Sequence, residues 1–165
     1  MFFKVPGLPD GKIIEGYKYG DGSPYFINGP RIHEYLQEMN KTVLSKYDIM
    51  TVGETPGTTP EIALKYVDKD RNELNMIFHF ELMEISYDPI NKWKPREWKL
   101  TELKKIFTKW YEGLKERGWN SLFMNNHDQP RMVSQFDDDK KYRVESENVG
   151  HFTTYSSWNS LCLSG

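Results

Sequence analysis

The chain has 165 residues, of which 38% are hydrophobic, 28% charged and 15% aromatic, and its formal net charge is −2. This length fits one domain or two very small ones, and the composition is not that of a disordered tail. The weak negative charge excludes the basic field of a nucleic-acid-binding protein and a polybasic membrane patch. The longest apolar stretch, residues 76–83, is far too short to span a bilayer, and no signal peptide is visible. We therefore expect a cytoplasmic protein with no nucleic-acid or membrane partner.

The first predicted element is a helix that follows a long loop. Turn formers such as Pro9-Asp10-Gly11 and Asn28-Gly29-Pro30 recur through residues 5–30 and predict an extended loop. Proline suits the first turn of a helix, and the apolar residues that follow have helical spacing. A helix is therefore predicted over about residues 30–45, and the apolar residues with this spacing are Ile32, Tyr35, Leu36, Met39, Val43 and Leu44.

Three predicted strands then alternate with two further helices. Residues 49–52 form a short apolar run that Gly53 stops, which predicts a buried strand, and further strands are predicted at residues 74–82 and 122–124. Thr59 and Pro60 predict the start of a helix that ends near Val67. The strongest apolar stripe in the chain predicts a helix over about residues 101–118. This alternation predicts parallel βαβ units with right-handed crossovers.

Two carboxylates follow predicted strands at the points where those strands end. Glu54 comes after the first strand and Asp128 comes after the third. Such positions line one face in parallel α/β folds, so we expect both on the same face, one strand apart. Hydrolysis of a glycosidic bond needs such a pair, because one group protonates the leaving oxygen and the other stabilises the cationic sugar. His127 and Arg131 are the candidate substrate-binding residues: His127 would donate a hydrogen bond to a sugar hydroxyl, and Arg131 would also keep a neighbouring carboxylate ionised.

Simpler interpretations of these residues remain open on spacing alone. Glu54 and Asp128 are equally well explained as residues that begin turns. His79 and Glu81 alternate with apolar neighbours and would reach the same face, although a structural histidine with satisfied hydrogen bonds fits somewhat better. No zinc-ligand spacing and no Gly-x-Ser-x-Gly elbow is present, so we expect no metal and no cofactor.

Several segments, taken in order, resemble the α-amylase clan (glycoside hydrolase family 13), and within it the oligo-1,6-glucosidase-like α-glucosidases. The resemblance covers about residues 4–146, and its strongest match is Asn-Asn-His-Asp-Gln-Pro-Arg at 125–131. The other matching segments are Val-Pro-Gly-Leu-Pro at 5–9, Asn-Gly-Pro at 28–30, His-Glu-Tyr-Leu at 33–36, Tyr-Asp-Ile-Met-Thr-Val-Gly-Glu at 47–54 and Trp-Asn-Ser-Leu at 119–122.

This resemblance implies a retaining glycosidase on a (β/α)8 barrel. It makes Glu54, at the end of strand five, the general acid/base. It makes Asp128, after strand seven, the group that stabilises the transition state, with His127 on the same sugar. Thr55 departs from the apolar residue often found after this glutamate. A whole barrel needs roughly 250 residues, so the expected fold is α/β, a partial barrel from about the end of strand four to helix seven with an incomplete sheet.

The resemblance also leaves family residues without a counterpart here. The nucleophilic aspartate of the family precedes the segment that begins at Val5, and no aspartate precedes Asp10. We therefore expect the chain alone to be inactive. Residues 147–165 are polar where the family has an apolar helix and a strand, and a shift of one nucleotide in the back-translated tail restores both. We expect residues 1–146 to be a fragment of the catalytic barrel and residues 147–165 to be a non-homologous, frame-shifted tail, which sequencing of the DNA would decide.

The predicted parent activity is hydrolysis of terminal α-linked glucose, through α-1,6 or α-1,4 bonds, from short oligosaccharides, which are the expected partners. A non-catalytic gene remnant or a sugar-binding or interaction fragment is the alternative from another class. Among enzymes, a sucrose isomerase or a trehalose-6-phosphate hydrolase is the alternative, since the residues that would choose between them belong to the entrance loops and the nucleophile region.

Overall fold

A computed structural model describes residues 7, 9–88, 90–91, 93–124 and 126–136 of the chain. The chain divides into two compact units, Met1–Asp48 and Ile49–Gly165. The predicted tail over residues 147–165 lies outside the described residues, as do residues 1–6, 8, 89, 92, 125 and 137–146 of the predicted barrel fragment.

The first unit contains a short helix and the predicted longer one. Helix α1 is Ser23–Phe26, helix α2 is Ile32–Thr42, and a single 3-10 turn follows over Leu44–Lys46. The predicted helix over residues 30–45 is therefore confirmed, with its start two residues later. None of the residues in α2 is buried, and on its apolar stripe the side chain of Met39 is 38% exposed. The apolar spacing thus identified the helix, although its side chains are only partly covered in the described structure.

The second unit is built on a parallel sheet of three strands. Strands β1 (Val52–Glu54), β2 (Met76–Phe78) and β3 (Asn120–Ser121) are hydrogen-bonded in the order β1-β2-β3, and both pairs are parallel. Helix α3 (Pro60–Val67) connects the first two strands and α4 (Leu100–Leu114) connects the last two. A short helix, α5 (Met132–Phe136), follows β3. The predicted βαβ units are confirmed, and neighbours in chain order are also neighbours in the sheet, as in a segment of a (β/α)8 barrel.

Local sequence signals explain where α3 and α4 begin. The side-chain oxygen of Thr59 accepts a hydrogen bond from the backbone N–H of Ile62, and Pro60 occupies the first turn, as predicted. At the start of α4, the carboxylate of Glu102 accepts the backbone N–H of Lys99 at 3.0 Å. Across the described part of the chain, no helix has the length and apolar character needed to cross a membrane.

The core of the second unit lies between the sheet and the helices α3 and α4, which also pack on each other. Trp110 is fully buried, and Leu103 and Leu114 are buried on the same helix. A second group of buried apolar side chains continues this core toward α5, and it comprises Leu82, Ile85, Leu103, Leu122 and Met124. Tyr111 is 44% exposed, so only part of the predicted stripe of α4 is core.

The prediction of a buried strand over residues 49–52 that Gly53 stops is wrong. The strand is Val52–Glu54, Gly53 pairs with Ile77 inside it, and Ile49 and Met50 are 50% and 57% exposed. The sheet sets these limits, because cross-strand bonding begins where the backbone N–H of Thr51 donates to the side chain of Asn75 at 2.8 Å. A Cβ on residue 53 would lie 2.8 Å from Cδ1 of Leu74, so glycine also suits the crowded centre of the strand.

The other two strands also differ in extent from their predictions. Strand β2 occupies only Met76–Phe78 of the predicted residues 74–82, because the chain turns after Phe80, whose carbonyl accepts the backbone N–H groups of Met83 and Glu84. Strand β3 is Asn120–Ser121, whereas the predicted residues 122–124 follow it as a buried connection. Burial in the core gives residues 122–124 the apolar composition that imitates a strand.

Candidate active site

Glu54 lies at the carboxyl end of β1, on the face of the sheet away from α4. It is paired in register with Phe78, which is paired with Ser121, so the three side chains share one face. The other face carries Ile77, and two residues further on His79 stacks on Trp110 of α4. The Glu54 side chain is exposed. Its place at the end of a strand is the one expected from the sequence, whereas the predicted sharing of a face with Asp128 stays a prediction.

Aromatic side chains form the floor of the face that carries Glu54. The rings of Phe78 and Phe123 are 4.6 Å apart between centroids, and Phe80 meets Phe123 edge-on at 5.5 Å. Phe123 is buried, and Ser121, in the same row as Glu54, is 1% exposed. The face that carries Glu54 is therefore apolar and aromatic next to the exposed carboxylate.

The second predicted carboxylate lies in a turn seven residues after the end of β3. The Asn126 side-chain oxygen accepts the backbone N–H of Asp128 at 2.9 Å, which closes the turn. Nε2 of His127 lies 3.4 Å from a carboxylate oxygen of Asp128, and the two side chains are 80% and 65% exposed. The structure thus brings His127 and Asp128 together and leaves both available to a ligand.

Glu54 and Arg131 are not joined to this turn by direct bonds. Among the described residues, no hydrogen bond or ion pair connects Glu54 with His127 or Asp128. Arg131 is exposed, and its backbone carbonyl accepts the N–H of Gln135 at 3.0 Å at the start of α5. Its guanidinium forms no ion pair with a carboxylate in the described ranges, so the charge pairing proposed for it stays a prediction.

His79 and Glu81, the other candidates for this face, contact α4 instead. The His79 ring lies 3.8 Å from the Trp110 ring, between centroids, with an angle of 9° between the planes. The Glu81 carboxylate accepts the Trp110 indole N–H at 2.8 Å and forms an ion pair with Lys109. Both residues therefore help to hold α4 on the sheet.

The interpretation of His79 as a satisfied structural histidine is only half right. The side chain is 2% exposed, but neither ring nitrogen has a hydrogen-bond partner within the described part of the chain. Burial, together with the positive charge of Lys109, lowers the pKa of His79 to about 3. The ring is therefore neutral at physiological pH and serves as an aromatic packing surface.

Sequence analysis missed the side chains that support the His127–Asp128 turn from outside. The Tyr87 hydroxyl donates to the side-chain oxygen of Gln129, and the side chain of Gln135 donates to the carbonyl of Met83 and the hydroxyl of Ser86 at 2.7 and 2.8 Å. These partners are 42 to 52 residues apart in the chain, so no local spacing indicates them. The only signal was that Gln129 stands inside the strongest family-like segment.

No group of three or more His, Cys, Asp or Glu side chains that could hold a metal ion occurs among the described residues. The exposed side chains of Glu54, His127 and Asp128 have the groups needed for proton transfer, charge stabilisation and hydrogen bonding to hydroxyl groups.

Comparison with known proteins extends this picture. The α-amylase catalytic-domain family matches residues 1–160. An oligo-1,6-glucosidase from Parageobacillus thermoglucosidasius is 61% identical over 149 residues, which are 90% of this chain and 26% of that protein. The chain therefore spans about a quarter of the length of the curated relatives it matches.

Two solved structures have the same fold as the described part. A mutant isomaltulose synthase from Erwinia rhapontici, in complex with D-glucose, matches with a TM-score of 0.74 and 37% identity and covers 81% of this chain and 24% of that one. A trehalose-6-phosphate hydrolase from Bacillus licheniformis matches with a TM-score of 0.68 and 44% identity and covers 77% of this chain and 23% of that one. Together with the family match and the parallel sheet, these similarities show that the chain belongs to the α-amylase catalytic-domain family.

Proposed function

We propose that this chain carries two of the three carboxylates of a retaining α-glucosidase that removes terminal α-linked glucose from short oligosaccharides. The observation that carries the proposal is the placement of Glu54: exposed, at the carboxyl end of β1, on the face away from α4. The 61% identity to an oligo-1,6-glucosidase supports the choice of reaction.

Glu54 is the general acid and then the general base. Its protonated carboxyl gives a proton to the glycosidic oxygen as the bond to the anomeric carbon breaks, and the leaving sugar departs as an alcohol. The resulting carboxylate then takes a proton from the water that releases the glucose. Glu54 is therefore protonated again at the end of each catalytic cycle.

Asp128 and His127 hold the sugar while positive charge develops on its ring. An ionised carboxylate at this position accepts hydrogen bonds from sugar hydroxyls and is attracted to the oxocarbenium-like transition state. The 3.4 Å separation between His127 and Asp128 allows both to contact one sugar ring. Arg131, three residues further on, is exposed and can donate hydrogen bonds to the same sugar.

The nucleophile is an aspartate that another part of the family domain supplies. In this arrangement β1, β2 and β3 are strands five, six and seven of the barrel, and the chain runs from about the end of strand four to helix seven. The three described strands and their two connecting helices fit consecutive units of such a barrel.

The purified 165-residue chain alone is expected to release no nitrophenol from p-nitrophenyl α-glucoside above the uncatalysed rate. Glu54 can protonate the leaving oxygen, but the covalent step requires the nucleophile of the complete barrel. Absorbance at neutral pH over a day checks this result. Release that Glu54→Gln abolishes would contradict it.

Isomerisation of a disaccharide is the second candidate, and the similarity to an isomaltulose synthase favours it. Both reactions need the same acid/base, and they differ in whether water or a sugar hydroxyl attacks the intermediate. The reaction that occurs depends on how well the rest of the barrel excludes water from the intermediate.

A graft tests the proposed function directly. The matching segment of the Parageobacillus thermoglucosidasius relative is replaced by residues 1–146 of this chain, and the products from isomaltose, maltose, sucrose and trehalose 6-phosphate are identified. Free glucose from isomaltose is the expected product. A graft that folds like its parent and converts none of these sugars would contradict a catalytic role, and a rearranged disaccharide from sucrose would favour the second candidate.

A further inference from the structure

The turn that carries His127 and Asp128 is fixed to the rest of the second unit at a point next to Asp128. The Tyr87 hydroxyl donates a hydrogen bond to Oε1 of Gln129, the residue that directly follows Asp128. Both side chains are half-buried. We call this contact between Tyr87 and Gln129 the tether.

The segment on which the tether is mounted is firmly placed. The 3-10 helix Met83–Ser86 leads directly into Tyr87, and three of its side chains are buried. The backbone N–H of Arg96 donates to the carbonyl of Ser86 at 2.8 Å, and Tyr87 pairs with Pro95 as an isolated antiparallel bridge. A hydroxyl carried on this segment therefore has a defined position relative to the sheet.

The far side of the turn is fixed to the same segment. In α5, the side-chain nitrogen of Gln135 donates to the carbonyl of Met83 and to the hydroxyl of Ser86, which is 1% exposed. The rings of Trp98 and Phe136 meet edge-on, with centroids 5.5 Å apart. The two glutamines thus attach the chain to the 3-10 segment on the C-terminal side of Asp128.

Inside the turn itself there is little to hold the two exposed side chains in place. Asn126 accepts the N–H of Asp128, which shapes the turn but does not fix it to the sheet. His127 and Asp128 are 80% and 65% exposed. Their position relative to the sheet must therefore come from contacts of their neighbours, and within the described part of the chain the tether, at residue 129, is such a contact.

We propose that Tyr87 is a positioning residue that fixes His127 and Asp128 relative to the sheet through Gln129. Its importance for catalysis rests on the proposed function, whereas the effect on the position of the turn does not. Burial raises the pKa of Tyr87, and this keeps the hydroxyl protonated, as a donor must be, throughout the neutral range.

Tyr87→Phe removes the hydroxyl and keeps the ring. In the full 165-residue chain, labelled for NMR, we expect shifted resonances for the His127 ring and about fivefold faster hydrogen exchange of the Asp128 and Gln129 amides, which is the loss of one hydrogen bond. The matched control is Tyr47→Phe, an exposed tyrosine. Exchange at the Ile77 amide, in the sheet, should stay the same in both variants.

A double-mutant cycle separates the tether from a general structural effect. If the hydroxyl acts through Gln129, Tyr87→Phe in a Gln129→Met background changes the exchange of the Asp128 amide no further. Additive effects of the two substitutions, or an unchanged His127 ring in Tyr87→Phe, would overturn the proposal.

The grafted enzyme gives the catalytic readout. Tyr87→Phe is expected to lower kcat about fivefold with little change in KM, because a displaced Asp128 weakens interactions made in the transition state. A graft with no activity but with the NMR effects intact contradicts the proposed function and leaves the tether standing. Unchanged kcat in an active graft overturns the positioning role.

Discussion

The contacts between the sheet and α4 differ from the turn after β3 in how far their polar side chains are buried. On the α4 side, Trp110 is fully buried and His79 is 2% exposed, with ring stacking, a hydrogen bond and an ion pair in one small volume. At the turn after β3, His127 and Asp128 are 80% and 65% exposed and depend on neighbours for their position. The buried contacts hold α4 on the sheet, whereas the turn after β3 presents polar groups that a ligand can contact.

This comparison predicts that substitutions on the α4 side affect folding, whereas substitutions of the exposed polar groups affect chemistry. Three predictions about stability test the expected effect of substitutions on the α4 side, in order of decreasing size.

Trp110→Ala should have the largest effect on stability. It removes a fully buried indole, its stacking on His79 and its hydrogen bond to Glu81, at a cost of about 3–5 kcal/mol. Urea unfolding followed by circular dichroism measures the change. Trp119→Ala, at a side chain that is 52% exposed, is the matched control and should cost far less. Equal losses in the two variants would contradict the assigned role of Trp110.

His79 should make the stability of the chain sensitive to acid. Its pKa is about 3 in the folded state and about 6.5 when exposed, so below pH 6.5 only the unfolded state takes up the proton. The contribution of His79 is therefore complete above pH 6.5 and falls as the pH drops toward 3, by about 2 kcal/mol between pH 7.5 and 5.

His79→Phe keeps an aromatic ring beside Trp110 and removes the titration. Urea midpoints at several pH values should fall more steeply for the parent chain than for this variant. Parallel pH profiles would show that His79 is protonated in the folded state as readily as in the unfolded state.

Gly113→Ala should destabilise the chain although alanine favours helices. A Cβ at position 113 in α4 would lie 2.4 Å from Cβ of Pro60 in α3, so the two helices must separate. We expect a loss of about 1–2 kcal/mol, because overpacking exceeds the propensity gain of about 1 kcal/mol. Gly53→Ala is the comparison, since it meets the flexible end of Leu74. Thermal melting should give a lower midpoint for Gly113→Ala, and a raised midpoint would contradict the close packing.

Local chemistry made part of the fold predictable. Thr59 followed by Pro60 is a sufficient signal for the start of α3, because the hydroxyl cap and the fixed proline φ act within one turn. The apolar stripe that contains Leu103 and Trp110 likewise identified α4, since burial of one face requires that period.

Strand limits depended on partners far away in sequence. Ile49 and Met50 have the composition of a strand, yet cross-strand bonding begins at Thr51, where Asn75 provides the partner. Composition indicates which residues are suited to a strand, but the alignment with the neighbouring strand determines which of them are hydrogen-bonded in the sheet.

The candidate site divided in the same way. Glu54 is a candidate because it follows a predicted strand, and it does lie at the carboxyl end of β1, whereas its role stays a prediction. The contact between Tyr87 and Gln129 joins residues 42 positions apart, and no local pattern precedes it.

Glu54→Gln in the grafted enzyme tests the central claim most directly. Loss of the proton donor should lower kcat on isomaltose about 100-fold to 10,000-fold, while the unfolding free energy stays within about 0.5 kcal/mol of the parent graft because the side chain is exposed. Activity within about tenfold of the parent, or a loss that only follows unfolding, would contradict the assignment of Glu54 as the acid/base.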